Sequence, residues 1–227
     1  LGPEVIDPIR ALAHETIDVG SVLKGFFLPG SISEKVAAAY RKHLFGDATL
    51  QDLPDDPPRI VINSTNVQTG SLWRFSKPYM RDYQVGEVRS PTVSLATAVA
   101  ASSAFPPVLS PAKLELDPAQ FSPPSGEPYH APPYTSEVYL SDGGVYDNLG
   151  LETAWKRYET ILVSDAGLAM AGDPDPGSDW VSHAKRVLDM IDNQVRGLRK
   201  RQLVASYRAG LRKGTYWSIR SDTGDYG

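Results

Sequence analysis

The sequence predicts an α/β fold with a mainly parallel sheet, and two stretches carry that prediction. In the first, Val138, Tyr139 and Leu140 are β-formers in a short run that breaks at Asp142, Gly143 and Gly144. Asp147 and Asn148 are good helix starters, so 149–158 reads as a short helix. In the second, Thr160-Ile161-Leu162-Val163-Ser164 is another strand, ending in Asp165-Ala166-Gly167. Two strands separated by one helix make a βαβ unit, which asks for parallel pairing. The first stretch sets the Asp142 carboxylate at the carboxyl end of a strand, the edge of an open α/β sheet where ligands bind. The glycines after it are expected to turn through positive φ and to admit a neighbouring segment.

The other elements follow in order. Residues 8–27 have helical character, broken by Gly20 and Gly25; Phe26, Phe27 and Leu28 read as packed core or partner surface. Ser31 and Glu34 have the spacing of a capping box, and Val36, Ala37, Tyr40 and Leu44 form one helical face that ends at Gly46. Residues 52–58 are an acidic, proline-rich connector. Residues 59–63 read as a buried strand, 65–70 as a turn, and 71–75 as a second strand closing a hairpin. Asn63 and Asn66 are expected to bond a turn backbone. Residues 79–90 are loop or irregular strand. Thr92 or Ser94 can cap a helix over 93–104, whose small apolar residues run all the way round, as in a helix buried on every side. Ser102 and Ser103 read as packing or hydrogen-bonding residues there, because neither has the glycine-flanked turn that exposes a nucleophile. Pro106, Pro107 and Pro111 stop that helix, and 115–135 is a surface loop. A long helix spans about 179–213, with Val181, Ala184, Leu188, Ile191, Val195 and Leu198 as its apolar stripe. Residues 215–219 read as a last strand.

Composition narrows the function. A chain of 227 residues, 41% hydrophobic and 22% charged, can bury a sizeable core, and no linker or repeat divides it, so it reads as one domain. A net charge of −4 argues against a nucleic-acid partner. With no cysteine, disulfides and thiolate zinc sites are excluded. No apolar run approaches the roughly 18 to 20 residues of a membrane span.

Asp142-Gly143-Gly144 resembles the catalytic Asp-Gly-Gly/Ala motif of patatin-like phospholipases. Ala100-Ala101-Ser102-Ser103-Ala104-Phe105-Pro106-Pro107 is similar to that family's helix ending in small residues and prolines. Ile62 through Gly70, continuing to Trp73-Arg74-Phe75-Ser76, resembles a strand pair of bacterial members. The likeness runs from about Leu44 onward. It implies a three-layer α/β/α fold with a mainly parallel sheet, and hydrolysis of lipid, phospholipid or acylglycerol esters by a Ser–Asp dyad. Asp142 would be the base and Gly143 and Gly144 would shape its turn, with no metal, cofactor or histidine. The family's G-x-S-x-G serine and glycine-rich oxyanion loop do not occur in residues 1–227. Since Leu1-Gly2-Pro3 opens without an initiator Met, the chain is expected to be the carboxyl-terminal portion of a single catalytic domain, inactive by itself. The alternative is a non-catalytic binding or scaffold domain that lost the serine.

The chemistry is consistent with that reading. A serine hydroxyl needs a neighbour to take its proton. An exposed Asp, with a pKa near ~3.9, is a weak base, and burial strengthens it. On spacing alone, Asp142 is equally a turn residue bonding its own backbone. A Ser–Asp–His triad would need His183, the one histidine after Asp142, inside a helix. A magnesium site would need Asp142 and Asp165 together, without a phosphate-cradling loop. Besides an acyl-ester substrate, the basic half of the last helix (Arg196, Arg199, Lys200, Arg201, Arg208, Arg212, Lys213) has two readings: a solvated face, or peripheral contact with anionic lipid.

Overall fold

Four strands follow one another with only a few residues between them, and that spacing decides the topology. The computed structural model describes residues 2–14, 31–55, 57–106, 109, 111–122, 126–167, 170–219 and 221. Strands β1 (Ile62–Asn66), β2 (Ser71–Phe75), β3 (Tyr79–Asp82) and β4 (Gly86–Arg89) are joined by tight turns, which allow only antiparallel neighbours. Strands β5 (Ala112–Glu115) and β6 (Glu137–Asp142) complete a six-stranded sheet in the order β4-β3-β2-β1-β6-β5. Every adjacent pair in it is antiparallel. The fold is α/β, but the expected mainly parallel sheet is not what the described residues form. The parallel pair is β7 (Thr160–Asp165) with β8 (Lys213–Ser218), in a separate two-stranded sheet. The βαβ argument therefore applies one element later than the sequence suggested: its crossover helix is 180–208, and β6 and β7 do not pair.

The chain divides into two compact units, Leu1–Tyr146 and Asp147–Gly227. In the first, helix α1 (Asp7–His14) is described only to His14, so Phe26, Phe27 and Leu28 lie outside the described residues. Helix α2 (Ser31–Tyr40) buries Ile32 and Val36; the expected capping side chain of Ser31 lies outside the described set. A capping box does occur further on, where Thr49 accepts from Gln51 N–H and Asp52 accepts from Thr49 N–H at 2.7 Å. Helix α3 (Leu95–Ser102) is capped by Ser94, which accepts from Thr97 N–H at 3.1 Å. Its alanines 96, 98, 100 and 101 are all buried, as a helix with no polar face requires. Against it pack Trp73, Phe75, Val138 and Leu140, all under 2% exposed. Each such side chain contributes roughly 1.5–3 kcal/mol by leaving water.

Two sequence expectations shift here. Thr65 and Asn66 belong to β1 rather than to a turn, because their polar groups are satisfied inside the sheet. Asn66 Oδ1 accepts from Gln68 N–H, and its Nδ2 donates to the fully buried Asp82 at 3.0 Å. The 115–135 loop is also pinned: Phe121 is buried and bridges Val88 of the edge strand β4.

In the second unit, helix α4 (Gly143–Asp147) ends at the unit's start, helix α5 (Leu151–Trp155) follows, and helix α6 (Trp180–Arg208) connects β7 to β8. Leu151, Ile161, Val163 and Leu203 form its core. The inner face of α6 is largely charged: Arg196 meets Asp165 at 3.8 Å, Arg199 meets Asp147 at 3.4 Å, and Asp192 accepts from Asn148 at 2.9 Å. The apolar stripe read from the sequence lies on another face, and much of it is exposed.

Candidate active site

Asp142 is the last residue of β6, and its surroundings are built mostly from main-chain atoms. Its N–H donates to the Ala104 carbonyl at 2.8 Å, and the Ser141 hydroxyl donates to the same oxygen at 3.0 Å. Its carbonyl accepts from the Thr65 hydroxyl at 2.7 Å. The Thr65 oxygen accepts in turn from Tyr146 N–H at 3.1 Å, which ties the strand end to the first turn of α4. Thr65 is 5% exposed, so both bonds are shielded from competing water.

The carboxylate is part-exposed, and its Oδ1 accepts from Gly144 N–H at 2.6 Å. That is the geometry of an N-cap, with Gly143 and Gly144 as the first two residues of α4. The predicted helix at 149–158 is corrected accordingly. Helix begins at the glycines themselves, ends at Asp147, and resumes at Leu151 after Gly150 with φ 64°. Positive φ is not why glycine follows Asp142, since neither Gly143 nor Gly144 adopts it. Close approach is the reason at Gly143, where a Cβ would lie 2.5 Å from the Asn63 carbonyl oxygen. That oxygen also accepts from the Ser102 hydroxyl at 2.7 Å.

In register, Ser64 stands opposite Asp142. Directly paired residues of antiparallel strands share one face of the sheet. Ser64 is fully buried, and its hydroxyl has no hydrogen-bond partner among the described residues. The sequence singled out none of Ser64, Thr65 or the Ala104 carbonyl, because a hydroxyl in a strand and a main-chain oxygen leave no motif.

Asp142, Gly143 and Gly144 are thus brought together by the strand–helix joint. The other predicted carboxylate, Asp165, belongs to a different cluster: Arg196, the Tyr216 hydroxyl and Gly167 N–H all address it. His183 is exposed near the start of α6. Ser102 and Ser103 bond backbone carbonyls, as packed residues do.

The joint offers chemistry as well as architecture. One carboxylate oxygen is oriented by a main-chain amide, and the residue is part-exposed at the end of its strand. A comparison with curated proteins returns no match. A family model described as patatin-like phospholipase matches residues 7–155, a span that contains β1 to β6, α3 and the Asp142 turn. With the match extending over most of its length, the chain belongs to the patatin-like phospholipases, a family of lipid acyl hydrolases.

Proposed function

We propose that Asp142 is the general base of a Ser–Asp dyad that hydrolyses acyl esters of lipids, phospholipids or acylglycerols. The observation that carries this is the fixed carboxylate: Oδ1 is held by Gly144 N–H, and the strand end beneath it is held by Ala104 and Thr65. With Oδ1 oriented, we assign the other carboxylate oxygen to the serine proton. The proton moves from the serine hydroxyl to Asp142 as the hydroxyl oxygen attacks the ester carbonyl. Asp142 then returns it to the departing alcohol, leaving an acyl-serine for water to hydrolyse. Gly143 and Gly144 shape the turn.

Residues 1–227 contain no G-x-S-x-G, so the nucleophile and its oxyanion donors are assigned to preceding residues of the same catalytic domain. We assign the expected mainly parallel, three-layer sheet to that larger domain too. The same missing motif favours a second reading, a non-catalytic binding or scaffold domain of the same fold. A full-length sequence without the serine would favour this rival.

The test is Asp142→Asn in the full-length protein. Asparagine keeps an oxygen for Gly144 N–H, so the fold should persist. Hydrolysis of a p-nitrophenyl ester should fall by roughly 10²-fold or more, the scale of general-base catalysis. Turnover near that of the unmodified protein would remove Asp142 from the reaction.

A further inference from the structure

The charges of this chain are unevenly spread. Of its 23 Lys and Arg and 27 Asp and Glu, nine cations but only Asp189 and Asp192 fall between Trp180 and Lys213. Several of the cations are engaged within their own unit: Arg196 and Arg199 face carboxylates, and Lys200 lies over the Tyr216 ring. Arg201 and Arg208 are exposed.

The geometry of α6 gives those two arginines a setting. Its inner face carries Asp192, Arg196, Arg199 and the fully buried Leu203. A different face carries Trp180, Ile191 and Leu198, exposed by 76%, 55% and 58%. At 3.6 residues per turn, the intervals from Trp180 to Ile191 and from Ile191 to Leu198 fall within about 20° of whole turns. Arg201 follows Leu198 by less than one turn, and Arg208 lies about two turns beyond it on the same side. The face therefore has an indole at one end, aliphatic side chains along its middle, and guanidinium groups at the other end. An amphipathic helix of this make-up lies in the plane of a membrane interface. No helix among the described residues is long and apolar enough to cross a membrane.

We infer that this face of α6 docks on an anionic lipid bilayer. Trp180, Ile191 and Leu198 enter the boundary between headgroups and acyl chains, and Arg201 and Arg208 meet headgroup phosphates. Charge decides against a second copy of the same face in a parallel pairing, and an antiparallel pairing is an outcome of the test below. A parallel two-fold pairing along α6 would set Arg201 and Arg208 against their own symmetry mates, and like charges across an interface repel.

The experiment is co-sedimentation of the purified full-length protein with vesicles. Phosphatidylcholine alone is compared with phosphatidylcholine containing about 30 mol % phosphatidylglycerol, an anionic lipid surface. Binding is expected on the anionic vesicles only, and it should weaken with added salt. Each cation near such a surface contributes about fivefold in partitioning, so R201E/R208E should lower binding by ~25-fold or more. L198D should lower it as well, and the melting temperature of the arginine variant should be unchanged, since both positions are exposed. Equal partitioning onto both vesicle types, or onto neither, overturns the inference. So does a concentration-dependent dimer in light scattering that L198D abolishes. Ester hydrolysis is not read, so the outcome is separate from the fate of the Ser–Asp dyad.

Discussion

Replacing Gly143 with alanine tests how tightly the strand–helix joint is built. The new Cβ would stand 2.5 Å from the Asn63 carbonyl oxygen and 3.0 Å from its carbon. Real Cβ atoms essentially never approach within 3.0 Å, so Asn63 or Gly143 must retreat by at least 0.5 Å. Neither can do so freely. Asn63 lies in β1, which is paired on both sides by β2 and β6, and its carbonyl accepts from Ser102. On the other side, Asp142 is held by Ala104 and Thr65. Overpacking at a well-packed site costs about 1–3 kcal/mol. Because both contacting atoms are backbone, the upper half of that range is expected, about 2–3 kcal/mol. At roughly 2–4 °C per kcal/mol for a chain of this size, calorimetry should show a fall of roughly 4–12 °C. Urea denaturation should show a lower midpoint with unchanged slope. A loss below about 0.5 kcal/mol, the range of ordinary surface substitutions, would mean that the contact with Asn63 does not constrain the turn.

Three other outcomes follow from the same structure. Thr65→Val keeps the shape but removes the hydroxyl that bonds both the Asp142 carbonyl and Tyr146 N–H, so chemical denaturation should show a loss of roughly 1–3 kcal/mol, the net worth of two hydrogen bonds; a neutral change would refute the clamp. Ser64→Ala removes a buried hydroxyl that has no partner among the described residues, so stability should hold or rise by about 1 kcal/mol, and a clear loss would show that the hydroxyl is bonded. Glu137 is held below the ordinary glutamate range by the Lys113 ammonium, 2.9 Å away, and by the Tyr139 hydroxyl, while Lys113 is raised by the same pair. The Glu137 contribution is complete above the ordinary glutamate pKa and vanishes as pH falls through the lowered one. The Lys113 contribution is complete below the ordinary lysine pKa and vanishes as pH rises through the raised one. In an NMR titration, Lys113→Met should move the Glu137 midpoint upward, and an unmoved midpoint would contradict the pairing.

The parts of the fold legible in the sequence were those whose patterns are local. The all-apolar run of α3 announced burial on every side, and of the two caps the sequence allowed, Thr92 and Ser94, the helix uses Ser94. The Asp142 break was visible because a β-run meeting two glycines has few other readings. Pairing partners were less legible. Thr65 and Asn66 look like turn residues by composition, yet the sheet satisfies their polar groups, so the strand runs on past Asn63. The βαβ argument assumed that consecutive strands share a sheet, whereas β6 is flanked by β1 and β5, which leaves β7 to pair with β8. Helix α6 was misleading in another way: periodicity located its apolar stripe, but its inner face is held by ion pairs, which no hydrophobic pattern records. Within the candidate site the motif was readable and its supports were not, because the supports are carbonyl oxygens and strand hydroxyls.

Those supports bear on how the molecule can diverge. The atoms that fix the Asp142 turn are the carbonyls of Asn63 and Ala104, the amides of Gly144 and Tyr146, and a handful of small hydroxyls. Every residue has a carbonyl and nearly every residue an amide, so mutation at most neighbouring positions leaves this scaffolding in place. Side chains around the turn are therefore free to drift in size and polarity while the Asp142 carboxylate keeps its place, so the surroundings of the joint can change without rebuilding it.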